Sequence, residues 1–310
     1  NSATKAIMDG AKTVVVEVNE RLPYVYSDYD GFIDISEVDY IVEGEHPEVV
    51  NLPSVRPNEI DIKVADYIAR EMCDGAVLEL GIGGMPSAVG EALAKSDLKD
   101  LGIHTEMLTD GFLALHKAGK ITNASKNVDR GKSVFTFAQG SDELYQWIAE
   151  NPNTVSMAVD RCNDPRYMSQ NEKLMTVNNC IEVDLFGQVC SESSGYRQIS
   201  GSGGQMDYLE GGMLSHGGKS FICMASTYYD KKQNATKSRI VPTMAEGGIV
   251  TAPRACQCYI VTEWGIENLA GKSTWQRAEA LVRLAHPDFR DELIKEAERM
   301  KIWRRSNKIL

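Results

Sequence analysis

Three segments of the chain combine residue types that can do chemistry on a negatively charged oxygen. The first is the loop 81–86, GIGGMP, whose glycines let backbone N–H groups point at an anion or a developing oxyanion. The second is Glu106, an acid near the end of the apolar run 101–108. The third is the run 200–208, SGSGGQMDY, where dense glycines allow the backbone to pass close to a ligand. Each has a plainer alternative, because glycines also make tight turns and most of the 44 acidic residues must be solvated.

Weaker features lie near these three segments. The loop 81–86 partly matches the dinucleotide-binding fingerprint, and Glu106 follows about where a ribose-binding acid would stand. Pro86 occupies the place of the small third residue, which makes that match weak. We place His104 on the face of its strand opposite Glu106 and expect a buried core histidine. Arg254, in a turn, suits a phosphate or a surface ion pair equally well.

The elements that must position these residues alternate regularly between helix and strand. Spacing and end signals predict a helix between Pro57 and Asp74, strands at 76–81, 101–108 and 133–137, and helices after the loop 81–86, over 112–118 and from Ser141. Strand–helix–strand units at this spacing indicate an α/β fold with a mostly parallel sheet. Glu106 then falls at the carboxyl edge of the sheet, where such folds place their sites.

The pattern changes after about residue 172. The run 174–193 reads as two strands joined near Gly187, and further β segments follow at 220–225, 239–243 and 258–263. A helical tail covers 273–285 and then 287 to about 301. At the other end, a helix over 3–8 leads into a strand at 13–18 without an initial Met, which suggests one piece of a larger or two-piece protein.

Composition restricts the classes of partner. The net charge of -11 argues against nucleic acid or an anionic membrane surface as the main partner. No apolar run approaches the roughly 20 residues of a membrane-spanning helix. Seven cysteines without a Cys-x-x-Cys pair indicate reduced core thiols and a cytoplasmic location rather than a redox or metal site.

Longer stretches of the chain resemble a known family. They are LGIGGMPSAV, LGIHTEMLTDG, NNCIEVDLFGQV, ISGSGGQMDY, VTEWGIENLAGKS and RAEALVRLAHPDFRDEL, in this order. Through these stretches together, the chain resembles the acetyl-CoA hydrolase/transferase family, especially its 4-hydroxybutyrate and butyryl-CoA:acetate CoA-transferase branch. The resemblance implies two open α/β domains with mostly parallel sheets. Residues 1–55 would comprise the linker and the remainder of the N-terminal domain, which lacks its N-terminal part. Residues 56–310 would form the C-terminal domain.

The resemblance also implies roles for individual residues. Glu106 corresponds to the catalytic nucleophile of the family. The backbone at Ile82 and Gly83 corresponds to its oxyanion-hole and CoA-binding loop. Asn163 matches an asparagine near the bound carboxylate, and Gly204 matches a glycine near the acyl oxygen.

The implied activity is transfer of CoA between an acyl-CoA and a short-chain carboxylate, acetate with 4-hydroxybutyrate or butyrate, in a ping-pong reaction through a glutamyl-CoA thioester. CoA is then a substrate, and neither a resident cofactor nor a metal is expected. A homo-oligomer such as a homodimer is implied, with the protein's own N-terminal part as a separate or cleaved chain. The alternatives are an acyl-CoA hydrolase of the same family, an NAD-dependent oxidoreductase, and a non-catalytic CoA-binding subunit.

Overall fold

The computed structural model describes residues 2–51, 56–256 and 258–303 of the chain. In these residues the α-helices, numbered α1 to α10 in chain order, are Thr4–Gly10, Glu59–Arg70, Gly84–Lys95, Asp110–Lys117, Asp142–Ile148, Val159–Cys162, Pro165–Met168, Gln205–Leu214, Thr274–Leu284 and Pro287–Arg299. The strands, numbered β1 to β17, are Val15–Val18, Tyr40–Glu43, Val77–Leu80, Gly102–Leu108, Ser133–Ala138, Thr154–Ser156, Leu174–Asn179, Glu182–Asp184, Val189–Cys190, Ser193–Ser194, Arg197–Gln198, Lys219–Cys223, Thr227–Asp230, Ala235–Ser238, Ile240–Val241, Tyr259–Thr262 and Gly265–Asn268. No helix in the described ranges combines the length and the apolar character needed to cross a membrane.

Eight strands form the central sheet, in the order β17-β16-β12-β7-β3-β4-β5-β6. All neighbouring pairs are parallel except β16 and β17, which form an antiparallel pair at one edge. Strand β3 lies between β7 and β4, with Val77 opposite Leu174 on one side and Gly102 on the other. The predicted α/β fold with a mostly parallel sheet is therefore confirmed.

Both faces of this sheet are covered by helices. Side chains of successive strand residues point to opposite faces, so neighbouring residues of one strand pack in different cores. Leu78 packs in a core with residues of α2 to α5, whereas its neighbour Val77 packs with Met168 and Tyr208 on the other side. A further core joins α9 and α10 to the small sheet of β8, β9 and β15. Continuous burial of β3 explains why its sequence reads as an apolar run with one exception, Glu79.

Local signals fix the helix starts around the sheet. Asn58 caps α2 in a reciprocal capping box with Asp61, and the Ser141 hydroxyl accepts the N–H of Leu144 at the start of α5. Pro86 lies in the first turn of α3, where its missing N–H is not needed. The predicted helices after Pro57, after the loop 81–86 and from Ser141 are therefore confirmed, although α2 ends at Arg70 rather than near Asp74.

Two predictions in the second half of the chain need correction. The run 174–193 contains four strand pieces rather than two, since β7 stays in the central sheet, β8 and β9 form a hairpin in a separate small sheet, and β10 begins at Ser193. The predicted junction near Gly187 is the turn of this hairpin, whereas the break between β7 and β8 was not predicted. The run 200–208 is also not loop throughout, since α8 begins at Gln205 directly after its last glycine. Gly204 is therefore the residue that precedes a helix.

The N-terminal segment forms a smaller unit. Helix α1 buries none of its residues, and β1 pairs in parallel with β2 in a two-stranded sheet. Residues 24–28 run along the edge of β6, where the Ser156 N–H donates to the Tyr26 carbonyl at 2.9 Å. The predicted domain boundary at 55/56 falls against residues 52–55, which lie outside the described residues, and it stays a prediction.

Candidate active site

Glu106 lies near the carboxyl end of β4, next to the middle of the central sheet. Residues 102–105 of this strand are buried, whereas Glu106 and Met107 are half-buried. Glu106 and Met107 line a cavity of about 360 Å³, together with the loop after β3, the end of β7 and the glycines before α8. The carboxyl ends of parallel strands and the loops that follow them thus meet around one acid, as expected for an open α/β sheet.

Asn163 contacts the Glu106 carboxylate directly. It follows α6 and is nearly buried, and its Nδ2 donates a hydrogen bond to Oε2 of Glu106 at 2.7 Å. Its Oδ1 is enclosed and has no partner among the described residues. The amide therefore fixes the direction of the acid, since a charge-assisted hydrogen bond is stronger and more directional than a neutral one.

Gly204 comes so close to this pair that no side chain fits there. A Cβ at this position would overlap Oε2 of Glu106 and Nδ2 of Asn163. Its backbone has φ -85°, which other residues also adopt, so the close approach and not the backbone angle requires glycine here. The structure therefore brings Glu106, Asn163 and Gly204, all singled out from the sequence, into one site.

Within the described residues, the loop after β3 carries free backbone donors, of which the one at Ile82 belongs to a residue that lines the cavity. The N–H groups of Ile82 and Gly83 have no hydrogen-bond partner among the described residues, whereas the Gly81 N–H is used within the sheet. The Asn179 side chain holds the loop by donating to the Ile82 carbonyl at 2.8 Å. Ile82 lines the cavity and is 54% exposed; Gly83, with φ 109°, precedes α3 and is not among the lining residues.

A second acid, Glu79 on β3, also lines this cavity and was missed by the sequence analysis. It is only 3% exposed, and its Oε2 accepts hydrogen bonds from the Val177 N–H and from Asn178 Nδ2. Burial, reinforced by the negative charge of Glu106, raises the pKa of Glu79 to about 8. The sequence did contain a signal for Glu79, namely an acid inside the apolar run 76–81. Acidic residues are rarely buried without a partner, so an acid in a buried strand points to a special role.

His104 is a buried core residue, as expected, but its predicted orientation is wrong. Its Nε2 hydrogen-bonds the Cys162 carbonyl at 2.7 Å, beside the asparagine that holds Glu106. Residues 104 and 106 of one strand point to the same face, since the side-chain period of a strand is two. Burial, and then the charge of Lys126, lowers the pKa of His104 to about 3, so that its ring stays neutral.

Lys126 ties the strand of the acid to a neighbouring loop. Its buried Nζ donates to the carbonyls of Ile103 and Lys132 at 2.9 and 2.7 Å. Burial lowers the pKa of this lysine to about 8. Both bonds go to backbone oxygens, so Lys126 supports β4 from outside the cavity.

The remaining sequence candidates lie elsewhere. The Arg254 side chain contacts the Thr274 hydroxyl at 3.2 Å, and neither residue lines the cavity. In the described ranges one group, Glu20, Glu43 and His46, could present three ligand atoms to a metal ion. It lies in the N-terminal segment and is mainly exposed, so nothing links it to the chemistry at Glu106.

Comparison with known proteins identifies the family. Residues 2–53 match the model of the acetyl-CoA hydrolase/transferase N-terminal domain, and residues 140–297 match that of the C-terminal domain. The chain is 50% identical over 304 residues to butyryl-CoA:acetate CoA-transferase of Anaerostipes caccae, covering 98% of this chain and 68% of that protein. It is 42% identical over 296 residues to 4-hydroxybutyrate coenzyme A transferase of Clostridium kluyveri, covering 96% and 67%.

Solved structures agree with these sequence matches. RipA from Yersinia pestis superposes with a TM-score of 0.89 at 40% identity, over 98% of this chain and 67% of that one. More distant proteins named acetyl-CoA hydrolase match at lower identity, such as the Yarrowia lipolytica protein at 27%, over 92% of this chain and 53% of its own length. The chain thus spans about two thirds of the relatives that it matches well. From sequence, fold and relatives together, the chain belongs to the acetyl-CoA hydrolase/transferase family and is an enzyme of the CoA-transferase type.

Proposed function

We propose that this enzyme moves CoA between an acyl-CoA and a short-chain carboxylate, with acetate and either butyrate or 4-hydroxybutyrate as the acids. One observation carries the proposal, namely the Glu106 carboxylate held by the Asn163 amide beside a cavity lined by two glycine segments. The names of two relatives, which pair CoA transfer with butyryl-CoA and acetate or with 4-hydroxybutyrate, support the choice of acids.

Glu106 is the nucleophile of the proposed ping-pong reaction. Its carboxylate oxygen attacks the acyl carbonyl carbon, the C–S bond breaks, and an acyl-glutamyl anhydride and CoA thiolate form. The thiolate then attacks the glutamyl carbonyl carbon and releases the first acid, which leaves a glutamyl-CoA thioester. The second carboxylate reverses both steps, so that the new acyl-CoA leaves and the Glu106 carboxylate is restored. No proton is gained or lost overall, and CoA takes part as substrate rather than as resident cofactor.

Each addition step places negative charge on a carbonyl oxygen, which the site must stabilise. The unpartnered N–H groups of Ile82 and Gly83 are the donors we assign to this oxyanion. Loss of one such donor raises the barrier by about 3 kcal/mol in comparable sites. The Asn163 amide orients the attacking carboxylate and lies where an incoming acid must bind. Gly204 leaves room beside both groups.

The role of Glu106 as nucleophile is tested by measuring CoA transfer in two variants, Glu106→Gln and Glu91→Gln. Glu91 is an exposed acid on α3, so the second variant controls for the loss of a glutamate charge elsewhere. We expect Glu106→Gln to abolish CoA transfer and Glu91→Gln to retain it. Borohydride added with acyl-CoA should inactivate the wild type by reducing the glutamyl thioester and should leave Glu106→Gln chemically unmodified. Full transfer by Glu106→Gln would refute the proposal.

Hydrolysis of acyl-CoA is the second candidate, favoured by the relatives named acetyl-CoA hydrolase. In that reaction water replaces the second acid in attack on the covalent intermediate. Measuring CoA transfer to acetate alongside CoA release without acetate separates the two activities. Glu106→Asp should shift the balance toward release, because the shorter side chain leaves space for water at the reacting carbon.

The active assembly, in this proposal, also contains a polypeptide equivalent to the N-terminal third of the relatives, as a separate or cleaved chain. Support comes from the pair β1 and β2, where apolar side chains stay exposed on a two-stranded sheet that is too small to be stable alone. The exposed apolar side chains of the pair are those of Val15, Val18, Tyr40, Ile41 and Val42. A homo-oligomer such as a homodimer, in the cytoplasm, completes the proposal.

Intact mass of the native protein and co-expression test this assembly. We expect the 310-residue chain to co-purify with a polypeptide equivalent to the N-terminal third of the relatives, and transfer activity to depend on it. Sedimentation of the reconstituted sample gives the number of copies. Full activity and a monodisperse state of the 310-residue chain alone would contradict the need for a partner.

A further inference from the structure

The cavity at Glu106 contains a second carboxyl group that the reaction described above does not use. Glu79 lies on β3, the strand next to β4, and its side chain lies on the same sheet face as that of Glu106, under α8. Both acids line the same cavity of about 360 Å³. Two negative charges in so small a space would oppose the entry of an anionic carboxylate substrate, so the protonation state of Glu79 matters for binding.

The Glu79 carboxyl group is anchored through one oxygen only. Its Oε2 accepts two hydrogen bonds from β7, at 3.1 Å from the Val177 N–H and at 2.9 Å from Asn178 Nδ2. Its Oε1 has no hydrogen-bond partner among the described residues and is not one of their fully enclosed polar atoms. The second oxygen therefore opens to the cavity, in a direction fixed by β7.

The surroundings of Glu79 favour its neutral form. Of the groups around it, Glu106 on β4 is a carboxylate, and its charge opposes a second one. Tyr208 on α8 and Cys223 on β12 are buried groups whose pKa values are raised, so both stay neutral beside Glu79. No cation of the described residues acts on it, and its pKa of about 8 leaves it protonated at neutral pH.

We propose that Glu79 works as a neutral carboxylic acid whose hydroxyl at Oε1 donates a hydrogen bond to an oxygen of the acyl or carboxylate group bound beside Glu106. The inference rests on the proposed CoA transfer and adds a substrate-contacting residue to it. The proton stays on Glu79 throughout, so the residue acts as a fixed donor and transfers nothing. Ionisation at alkaline pH removes this donor and adds a repulsive charge, which weakens binding of the acid substrate.

The test is the pH dependence of the KM for the carboxylate substrate, measured from pH 6 to 9.5 with the reconstituted enzyme. In the wild type we expect this KM to rise above an inflection near pH 8, by up to tenfold per pH unit. Glu79→Gln keeps a donor that does not ionise, so the inflection should disappear. Glu79→Leu keeps no donor, and its KM for the acid should exceed that of Glu79→Gln at pH 7 by tenfold or more.

Controls separate this inference from the function on which it rests. Glu91→Gln, a matched substitution on the exposed face of α3, should keep the wild-type inflection. An inflection unchanged in Glu79→Gln would overturn the role of Glu79, while loss of transfer in Glu106→Gln would still support CoA transfer. If Glu79→Leu does not fold, the presence or absence of the inflection in Glu79→Gln, compared with the wild type, still tests the role of Glu79.

Infrared spectroscopy offers a readout that needs no turnover. At neutral pH the wild type should show a carboxylic-acid C=O band that is absent from Glu79→Gln. This band should be lost on titration through about pH 8, with no substrate present. A wild-type spectrum without that band at pH 7 would refute the neutral acid directly.

Discussion

At the scale of single residues, the arrangement of the site depends on one hydrogen bond to a charged acid. Asn163→Ala removes the 2.7 Å contact between Nδ2 and the Glu106 carboxylate. Hydrogen bonds to charged groups contribute about 1.5–3 kcal/mol, so we expect kcat/KM for CoA transfer to fall about 10- to 100-fold. Steady-state kinetics with a fixed acyl-CoA donor measure this loss.

A charge variant sharpens that experiment. Asn163→Asp places a second carboxylate against Glu106, and we expect a larger loss than with alanine, partly recovered at acid pH where one of the two acids is protonated. Asn153→Asp makes the same exchange at an exposed position and should behave as the wild type. Equal activity of the alanine and aspartate variants would mean that Asn163 does not face a charged acid.

Glu79 also makes stability depend on pH. Its pKa in the folded protein, about 8, lies above the 4.5 of an ordinary glutamate, so between these values the folded state binds more protons than the unfolded state. The free energy of unfolding therefore falls as pH rises through this window, by up to about 1.4 kcal/mol per pH unit. Denaturant unfolding of wild type and Glu79→Gln at pH 5, 6, 7 and 8 measures the difference.

The variant comparison isolates this group from all other titrations. We expect the stability of Glu79→Gln relative to wild type to increase steadily from pH 5 to pH 8. His104 changes stability with pH in the opposite direction. Its pKa of about 3 lies below the ordinary 6.5, so the free energy of unfolding falls as pH falls through that range. A difference between wild type and Glu79→Gln that stays constant with pH would show that Glu79 is already ionised at pH 5.

At the scale of elements, α8 begins directly after Gly204, which lies against the side chains of Glu106 and Asn163. In Gly204→Ala the new methyl group must displace the ends of the Glu106 and Asn163 side chains. Because these ends are flexible, we expect a modest loss of stability, about 1–3 kcal/mol, but a loss of transfer activity of 100-fold or more. Activity assays and thermal unfolding of the same sample measure both effects.

The same loop provides the matched control. A Cβ at Gly201 meets nothing within 4 Å, so Gly201→Ala should retain stability and most of the activity. If both alanine variants lose activity equally, loop flexibility rather than the close approach at Gly204 explains the result.

The elements around the acid were largely predictable from the sequence, for identifiable reasons. Strand β4, the loop 81–86 and the helix after it carry strong local signals, namely an apolar run, paired glycines and Pro86 in a first turn. Helix α8 was missed because Gly204 hides its start among other glycines and no capping side chain marks it. The break between β7 and β8 was missed because Cys180 and Ile181, which separate the two strands, include no glycine or proline to signal a turn.

At the scale of the whole molecule, the seven cysteines are all free thiols, and most of them are buried. Burial raises the pKa of Cys162 to about 12 and that of Cys256 to about 11, which suppresses the reactive thiolate. We expect a thiol reagent at pH 8 to label Cys73 first, since it is half-buried, whereas burial of the thiol raises the pKa of Cys180, the other half-buried cysteine. The reagent should reach all seven only after denaturation. Rapid labelling of four or more thiols in the native protein would contradict the buried positions.

Contacts between residues far apart in the sequence were the least predictable feature of the site. Glu106 was singled out by family resemblance, since nothing local distinguishes it from the other acids. The role of Glu79 depends on β7, nearly a hundred residues further along the chain, which supplies both of its hydrogen-bond donors. Contacts between residues so distant in sequence leave no periodic pattern, so only the assembled sheet reveals them.

The groups that touch Glu106 and line its cavity all come from residues 79 to 208, a continuous stretch of the described chain. In the proposed reaction, the residues that make and break bonds thus belong to one stretch of sequence that can be exchanged as a unit. We expect a polypeptide that closes the cavity from outside to select the acyl group. Chimaeras that join this block to the N-terminal thirds of different relatives should change their preferred acid while keeping the same covalent intermediate.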